Sequence, residues 1–483
     1  MQPEDDPVGG LTFFGLFQSR AAINDLASTN PFLDGQVVGR LGGTNGVVVD
    51  PTVVAAYTEE RVNGFFTYAP PLANGKASLT AAFEIDFAFG DRSYGVGGNV
   101  GGGFGGDQVN LQTRRLHADF FPSKGMHSAH VIVGLQFLSD SVADPTRSTP
   151  DQLMRSGGRM AFFASEAAGV AVYGKVADDW GTRVRYRAGL FTLAENGLSL
   201  SDDVLLAVAD VEGRPAQATA VGAHLWYLQD RSGGVGGTLG LGPTSALYEL
   251  QGGAHIDLYD GLPPPDGAYI DADLVWAGVD GGFNAALDRG LYGVHVSLIG
   301  NLGRLYAPIV HDDDVAGLFL DAEARARYAP GDGSVARAEV LVTTPAGAND
   351  LYYGGVVTGN AYGVAGALMP THGTLLLFPD ARAINRLVSV VADASAAGRG
   401  VTALTTSVGY DVIPARLNVL GRAATAMTSD GVAWGTELGG SISGRPLPLV
   451  DLGVHGAVLL PGPAAELTAT PWAGYVALDW LVL

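Results

Sequence analysis

Residues 181–193 read GTRVRYRAGLFTL, so Arg183, Arg185 and Arg187 alternate with Val184, Tyr186 and Ala188. On a helix, residues two apart do not face each other; on a strand the side-chain period is two, and all three cations share one face. The other face is apolar. A sheet with one ionic and one apolar side raises the question of what lies against each, and the rest of the chain has to answer it.

The same grammar recurs along the sequence. In residues 78–90, SLTAAFEIDFAFG, Leu79, Ala81, Phe83, Ile85, Phe87 and Phe89 take one parity, while Thr80, Glu84 and Asp86 take the other. Arg115, His117 and Asp119 oppose Leu116, Ala118 and Phe120, and Asp271 and Asp273 oppose Ile270, Ala272, Leu274 and Trp276. In 317–330, Asp321, Glu323, Arg325 and Arg327 alternate with Leu320, Ala322, Ala324, Ala326 and Tyr328. With weaker candidates that include 203–210, 245–258, 335–344, 386–395 and 431–442, the pattern predicts 16 to 20 strands, with 18 the best value. Pro and Gly clusters such as Pro70-Pro71 with Asn74-Gly75 and Pro330-Gly331-Asp332-Gly333 mark short turns. Between them lie longer stretches at 21–60, 90–108, 140–157 and 230–243, so short and long connections alternate in the first half. Residues 95–106, GVGGNVGGGFGG, lack the strand-turn-helix context of a phosphate loop and read as a loop.

Composition narrows what can surround such a sheet. Only 16% of the 483 residues are charged, against roughly a quarter in an ordinary soluble chain. No linker divides the sequence, which reads as one domain over 1–483. A membrane helix needs about 20 consecutive apolar residues; the longest stretch without a formal charge, residues 351–379, is broken by Gly354, Gly355, Gly359, Gly363, Gly366, Pro370 and Gly373. A closed β-barrel is the other structure that satisfies every backbone group in lipid. Short turns alternating with long loops are the pattern of transmembrane barrels of the outer membrane, with the short turns periplasmic and the long loops extracellular.

Energetics orients the strands. An Arg facing lipid near the midplane costs ~2–4 kcal/mol, so three in a row would cost about as much as a domain's whole stability. The cations therefore face the lumen. Too wide for side chains to fill, a barrel of this size holds water, folded loops or a solute. The predicted lumenal, solute-facing residues are Arg115, Arg183, Arg185, Arg187, Arg325, Arg327 and Arg337, with Glu84, Asp86, Asp119, Asp271, Asp273 and Glu323. Mutual neutralisation across the wall explains the same residues equally well. The connection 345–385 reads as a long loop or a further hairpin, and residues 1–10 as a periplasmic tail left after removal of a signal peptide.

The net charge of −21, with only three lysines among 28 basic residues, argues against nucleic acid. Cysteine is absent, removing thiolate chemistry. His117 with Asp119 and a nearby His130 resembles a base and its orienter, yet no nucleophile motif accompanies it, and the chain is not read as an enzyme. Asp312, Asp313 and Asp314 are weak metal candidates without the spacing of a calcium loop. No cofactor is implied.

The last strand, residues 472–483 (WAGYVALDWLVL), puts Val476, Leu478, Trp480 and Val482 on one face and Asp479 on the other. It resembles the closing strand of outer-membrane barrels, although Leu483 stands where that feature usually has Phe. With the ladders and strand count, the chain resembles large outer-membrane channels of the alginate-export type and its polysaccharide-export relatives. That resemblance implies a Gram-negative outer membrane with its lipid and lipopolysaccharide, an anionic polysaccharide passing an arginine-rich lumen, and a periplasmic export protein as partner. A general diffusion porin, a plugged structural barrel and a sheath for a partner protein are the alternatives.

Overall fold

Period-two segments that follow one another in the chain pair antiparallel, and the last pairs with the first. The computed structural model describes residues 10–25, 54–89, 109–123, 127–139, 163–177, 183–194, 203–231, 271–285, 287–306, 313–346, 352–357, 359–360, 374–378, 390–391, 398–465, 467 and 469–482. They form a closed antiparallel barrel of 18 long strands. These are β1 (Gly10–Asn24), β2 (Ala55–Ala69), β3 (Ala77–Phe89), β4 (Val109–Ser123), β5 (His127–Ser139), β6 (Phe163–Ala177), β7 (Arg183–Ala194), β8 (Val204–Ala216) and β9 (Thr219–Asp230). There follow β10 (Asp271–Phe283), β11 (Tyr292–Tyr306), β12 (Asp313–Arg327), β13 (Val335–Thr343), β14 (Thr402–Ile413), β15 (Leu417–Met427), β16 (Ala433–Leu447), β17 (Val450–Pro461) and β18 (Trp472–Val482). Closure is made by β18 on β1, in register from Gly15 opposite Val482 to Asn24 opposite Ala473, with Gln18 Nε2 donating to Asp479 Oδ1 at 3.1 Å.

Strand direction sorts the connections onto two ends. Those at 70–76, 124–126, 178–182, 217–218, 284–291, 328–334, 414–416 and 448–449 share the end where β1 starts and β18 stops. The opposite end carries 25–54, 90–108, 140–162, 231–270 and 344–401 among others. The turn at 414–416 therefore belongs to the short-turn end, and Arg416 is exposed within it. The expected strand at 245–258, most of that at 386–395, the glycine loop at 95–106 and the N-terminal tail lie outside the described residues.

At ~3.3 Å per residue and a tilt of roughly 35–45°, a strand of about a dozen residues rises on the order of 30 Å, the thickness of a bilayer's hydrocarbon. The outward parity is apolar around the circumference: Leu11, Leu116, Leu190, Leu225, Val279, Val408, Ile442, Val454 and Val476 are all exposed. On β7, Ala188 and Leu190 are exposed on this face, whereas Arg187 on the other is 2% exposed. Tyr186 folds over Gly174 of β6, filling the space where a Cβ would meet its ring at 2.2 Å.

One strand reverses the expected faces. Trp276, Leu274 and Ala272 of β10 point inward and are buried, so Asp271 and Asp273 lie on the outer parity at the long-connection rim, not in the lumen. The reason is that the lumen beside upper β10 is filled with protein. The described parts of 344–401 enter the barrel, and Tyr353, Val356, Val357, Leu375, Leu376, Leu377, Phe378 and Val391 pack there with Trp276, Phe319, Leu341, Trp434 and Leu459 of the wall. An apolar inward face is then dry, and the aspartates stand at the rim, where charge costs little.

Candidate functional site

The lumen wall is built from adjacent strands whose inward positions carry opposite charges. At its centre, Asp210 of β8 receives Arg187 of β7 through Nε and Nη2, both at 2.6 Å, on one oxygen. Its other oxygen meets His224 Nδ1 and Trp226 Nε1 of β9, both at 2.8 Å. The guanidinium also lies 5.1 Å from the Trp226 ring centroid, within cation–π range. His224 continues the chain through Nε2 to Asp280 of β10 at 2.7 Å, and the second Asp280 oxygen faces His295 Nε2 of β11 at 3.2 Å. Each link joins neighbouring strands, so five strands are stitched at one level of the barrel. A charge removed from water here is sustained only by such pairing.

A second cluster spans β2 to β5. Glu84 of β3 sits between Arg61 of β2 at 3.2 Å and Arg114 of β4 at 3.7 Å. Asp119 Oδ2 faces His130 Nδ1 at 3.2 Å, and the His130 ring stacks on Phe121. Arg115 lies 5.4 Å from the Phe65 centroid. His117 Nδ1 faces the carbonyl of Leu135 at 3.2 Å, so the apparent base and orienter are wall residues with separate partners. On β12, Arg325 forks onto Glu323, with Nη2 to Oε2 at 2.9 Å, and Arg327 reaches Asp332 of the following turn at 3.2 Å. Arg337 of β13 stands inward, opposite Arg325.

These placements divide the predicted solute-facing set. Arg187, Arg115, Glu84, Asp119 and Glu323 face inward but are buried, from 2% to 6% exposed, and so are closed to a solute in the lumen. Arg187, Glu84 and Asp119 face oppositely charged or imidazole partners on neighbouring strands, Glu323 is held by Arg325 of its own strand, and Arg115 lies over the Phe65 ring. Arg183 is exposed and Arg185 half-buried at the short-turn mouth, beside Lys175 of β6 and Arg214 of β8. Among them Glu212 accepts Arg214 Nε at 2.9 Å. Asp271 and Asp273 belong to the outer rim, where Asp273 accepts the Tyr227 hydroxyl at 2.8 Å and Arg231 Nη2 at 2.7 Å. Asp314 is an exposed rim residue, 4.0 Å from Arg304, and the described residues contain no group of His, Asp or Glu able to hold a metal. The side chains of Asp86, Asp312 and Asp313 lie outside the described set.

The segment inside the lumen is fixed at four places on the wall. Tyr352–Tyr353 pairs parallel with Asp314–Val315 of β12, and Gly359–Asn360 with Phe163–Ala164 of β6, so the chain crosses from one wall to another within a few residues. Trp276 Nε1 donates to the Val357 carbonyl at 2.8 Å, and the Val357 N–H donates to Asn301 Oδ1 at 3.2 Å. Gly317 makes this approach achievable, since a Cβ there would stand 2.2 Å from the Gly355 oxygen. Farther on, the N–H groups of Leu375, Leu376 and Leu377 donate to the carboxylate of Glu437 on β16 at 2.8, 2.9 and 2.8 Å.

Sequence reading missed Asp210, His224, Asp280, His295 and Glu437. Glu212 and Arg214 extend the period-two pattern of 203–210 on the parity of Asp210, so these residues do carry a signal in the sequence. Glu437 had none, because its partners are backbone N–H groups remote in sequence.

No family model matches the chain, and no curated protein does. Among solved structures, the chain is similar to OccK9 (OpdG) of Pseudomonas aeruginosa, with 10% identity over 99% of this chain and 100% of that one and a TM-score of 0.50. It is also similar to a BenF-like porin from Pseudomonas fluorescens, at 10% identity over 98% of both chains with a TM-score of 0.49. At this identity the likeness to OccK9 concerns the fold alone, and it agrees with the closed barrel described above.

Proposed function

We propose that the protein is an outer-membrane channel of a Gram-negative bacterium through which small solutes diffuse. The observation that carries this reading is a bilayer-high apolar exterior around an ionised lumen that the described parts of 344–401 narrow from within. Membrane lipid and lipopolysaccharide would then cover the exterior. Export of an anionic polysaccharide is set aside, together with the periplasmic export partner that went with it. A hydrated polymer needs a broad through-path, whereas this lumen carries chain between β12 and β6 and a second block against β16. A diffusion channel needs only a narrow one. Passage past paired acids and bases requires no catalytic step, so the protein is not read as an enzyme.

A preference for anions is suggested by the described residues of β6 to β8 at the short-turn mouth, among which Lys175, Arg183, Arg185 and Arg214 outnumber Glu212. Reconstitution in planar bilayers tests both levels of the proposal. Refolded protein should give discrete single-channel steps, and a salt gradient should give a reversal potential on the anion-selective side. Replacing Arg183 and Arg185 together by Gln should move that potential toward cations. Absence of steps from protein that migrates as a folded barrel would overturn the channel reading; steps with no change in selectivity would remove the two arginines from it.

A further inference from the structure

We propose that Glu437 is the latch that keeps 374–378 folded into the lumen, so that this one carboxylate sets how far the channel is narrowed. The inference rests on the channel reading for its consequence, but not for its geometry. Residues 374–378, TLLLF, form a closed turn: the Thr374 hydroxyl accepts the Phe378 N–H at 2.8 Å and donates to the Phe378 carbonyl at 3.0 Å. This closure presents the three intervening N–H groups in succession, an arrangement that binds anions through backbone dipoles alone. The anion here comes from the wall. Glu437 is 2% exposed, its two oxygens accept all three N–H groups, and the turn's side chains are likewise buried.

Two features make this contact decisive for the block. Its remaining described hydrogen bonds, Val390 N–H to the Leu376 carbonyl and Val391 N–H to the Leu377 carbonyl, stay within 344–401 and hold nothing to the barrel. The other described anchors of the connection lie on β6 and β10 to β12, at 352–360, and at its two ends, where Thr344, Arg399 and Val401 bond the barrel; none of them involves Glu437. Packing of Leu375 to Phe378 against the wall supplies attraction without direction, whereas hydrogen bonds to a charged acceptor fix the seat. Losing the charge leaves three buried N–H groups facing an amide or nothing, and the block gains by leaving.

The absence of cysteine from the chain makes a direct test available. Leu376→Cys places one thiol on the turn, at a position 0% exposed. In the otherwise unchanged barrel it should react slowly with a maleimide. Adding Glu437→Gln should raise the labelling rate by at least roughly tenfold, the change expected from losing even one hydrogen bond to a charged group. Thr374→Val, which opens the turn but leaves the wall carboxylate in place, should act in the same direction. Heat-dependent migration on detergent gels establishes that each variant is a folded barrel. Unchanged labelling in folded Glu437→Gln overturns the latch. Larger single-channel steps should accompany the increased labelling; if no variant conducts while labelling still rises, the latch stands and the channel reading falls.

Discussion

β7 and β10 are written in the same period-two grammar, yet they turn opposite faces to the lumen. On β7 the charged parity, Arg183, Arg185 and Arg187, is inside and Leu190 is 69% exposed outside. On upper β10 the apolar residues Ala272, Leu274 and Trp276 are inside and Asp271 and Asp273 outside at the rim, while lower down Asp280, of the inner parity, joins the charged ladder. The alternation establishes that a strand has two unlike faces. Which face is inner depends on what occupies the lumen at that height: the counter-charges of β8 beside lower β7, the segment 352–357 beside upper β10.

The comparison can be broken most forcefully at Asp210. Its side chain is fully buried and accepts from Arg187, His224 and Trp226. Asp210→Ala leaves the Arg187 guanidinium, itself 1% exposed as a side chain, without that carboxylate. Removing one partner of a buried ion pair costs ~3–5 kcal/mol, and equilibrium urea unfolding from lipid vesicles should show a loss of that size. A loss under ~1 kcal/mol would mean that water reaches Arg187 and that the wall around β7 and β8 is open.

A smaller but directional effect tests the orientation of β10. Val279 lies on the same outward parity as Asp273, nearer the middle of the strand, and is 54% exposed. Val279→Arg should cost ~2–4 kcal/mol by the same unfolding measurement, as a cation at the lipid midplane does. If the substitution is neutral, the odd positions of β10 face water, and the reversal of faces between β7 and β10 disappears.

How much of this was legible follows from where each signal resides. The barrel, its strand number and the faces of β3, β7 and β12 are encoded in side chains two apart, which a single strand displays by itself. Wall pairing was half visible: Arg187 was identified as an inward cation, but Asp210 lies on the next strand, and no local pattern reveals which acid it meets. The faces of β10 were misread because Trp276 looks like a lipid-facing residue until the Val357 carbonyl beside its indole N–H is known. Fixation of 374–378 was invisible, since three of its donors are peptide groups that any sequence supplies. What the sequence withheld is the filling of the lumen, and both the β10 error and the unrecognised Glu437 come from that one gap.

The smallest expected effect sharpens the comparison by its salt dependence. Asp273 on the outer rim accepts Arg231 Nη2 and the Tyr227 hydroxyl, with about a quarter of its side chain exposed and Arg231 similarly so. A pair in such a position is worth ~0.2–1 kcal/mol and is screened by salt, so Asp273→Asn should lose no more than that in dilute buffer and nothing measurable near 1 M salt. Burial shields Arg187 and Asp210 from the same ions, and the cost of Asp210→Ala should survive the change of buffer almost intact. Two aspartates on strands of one grammar would then differ in magnitude and in response to ionic strength. If both costs faded together with salt, the lumenal pair would be as wet as the rim, and the distinction between the two faces would rest on sequence alone.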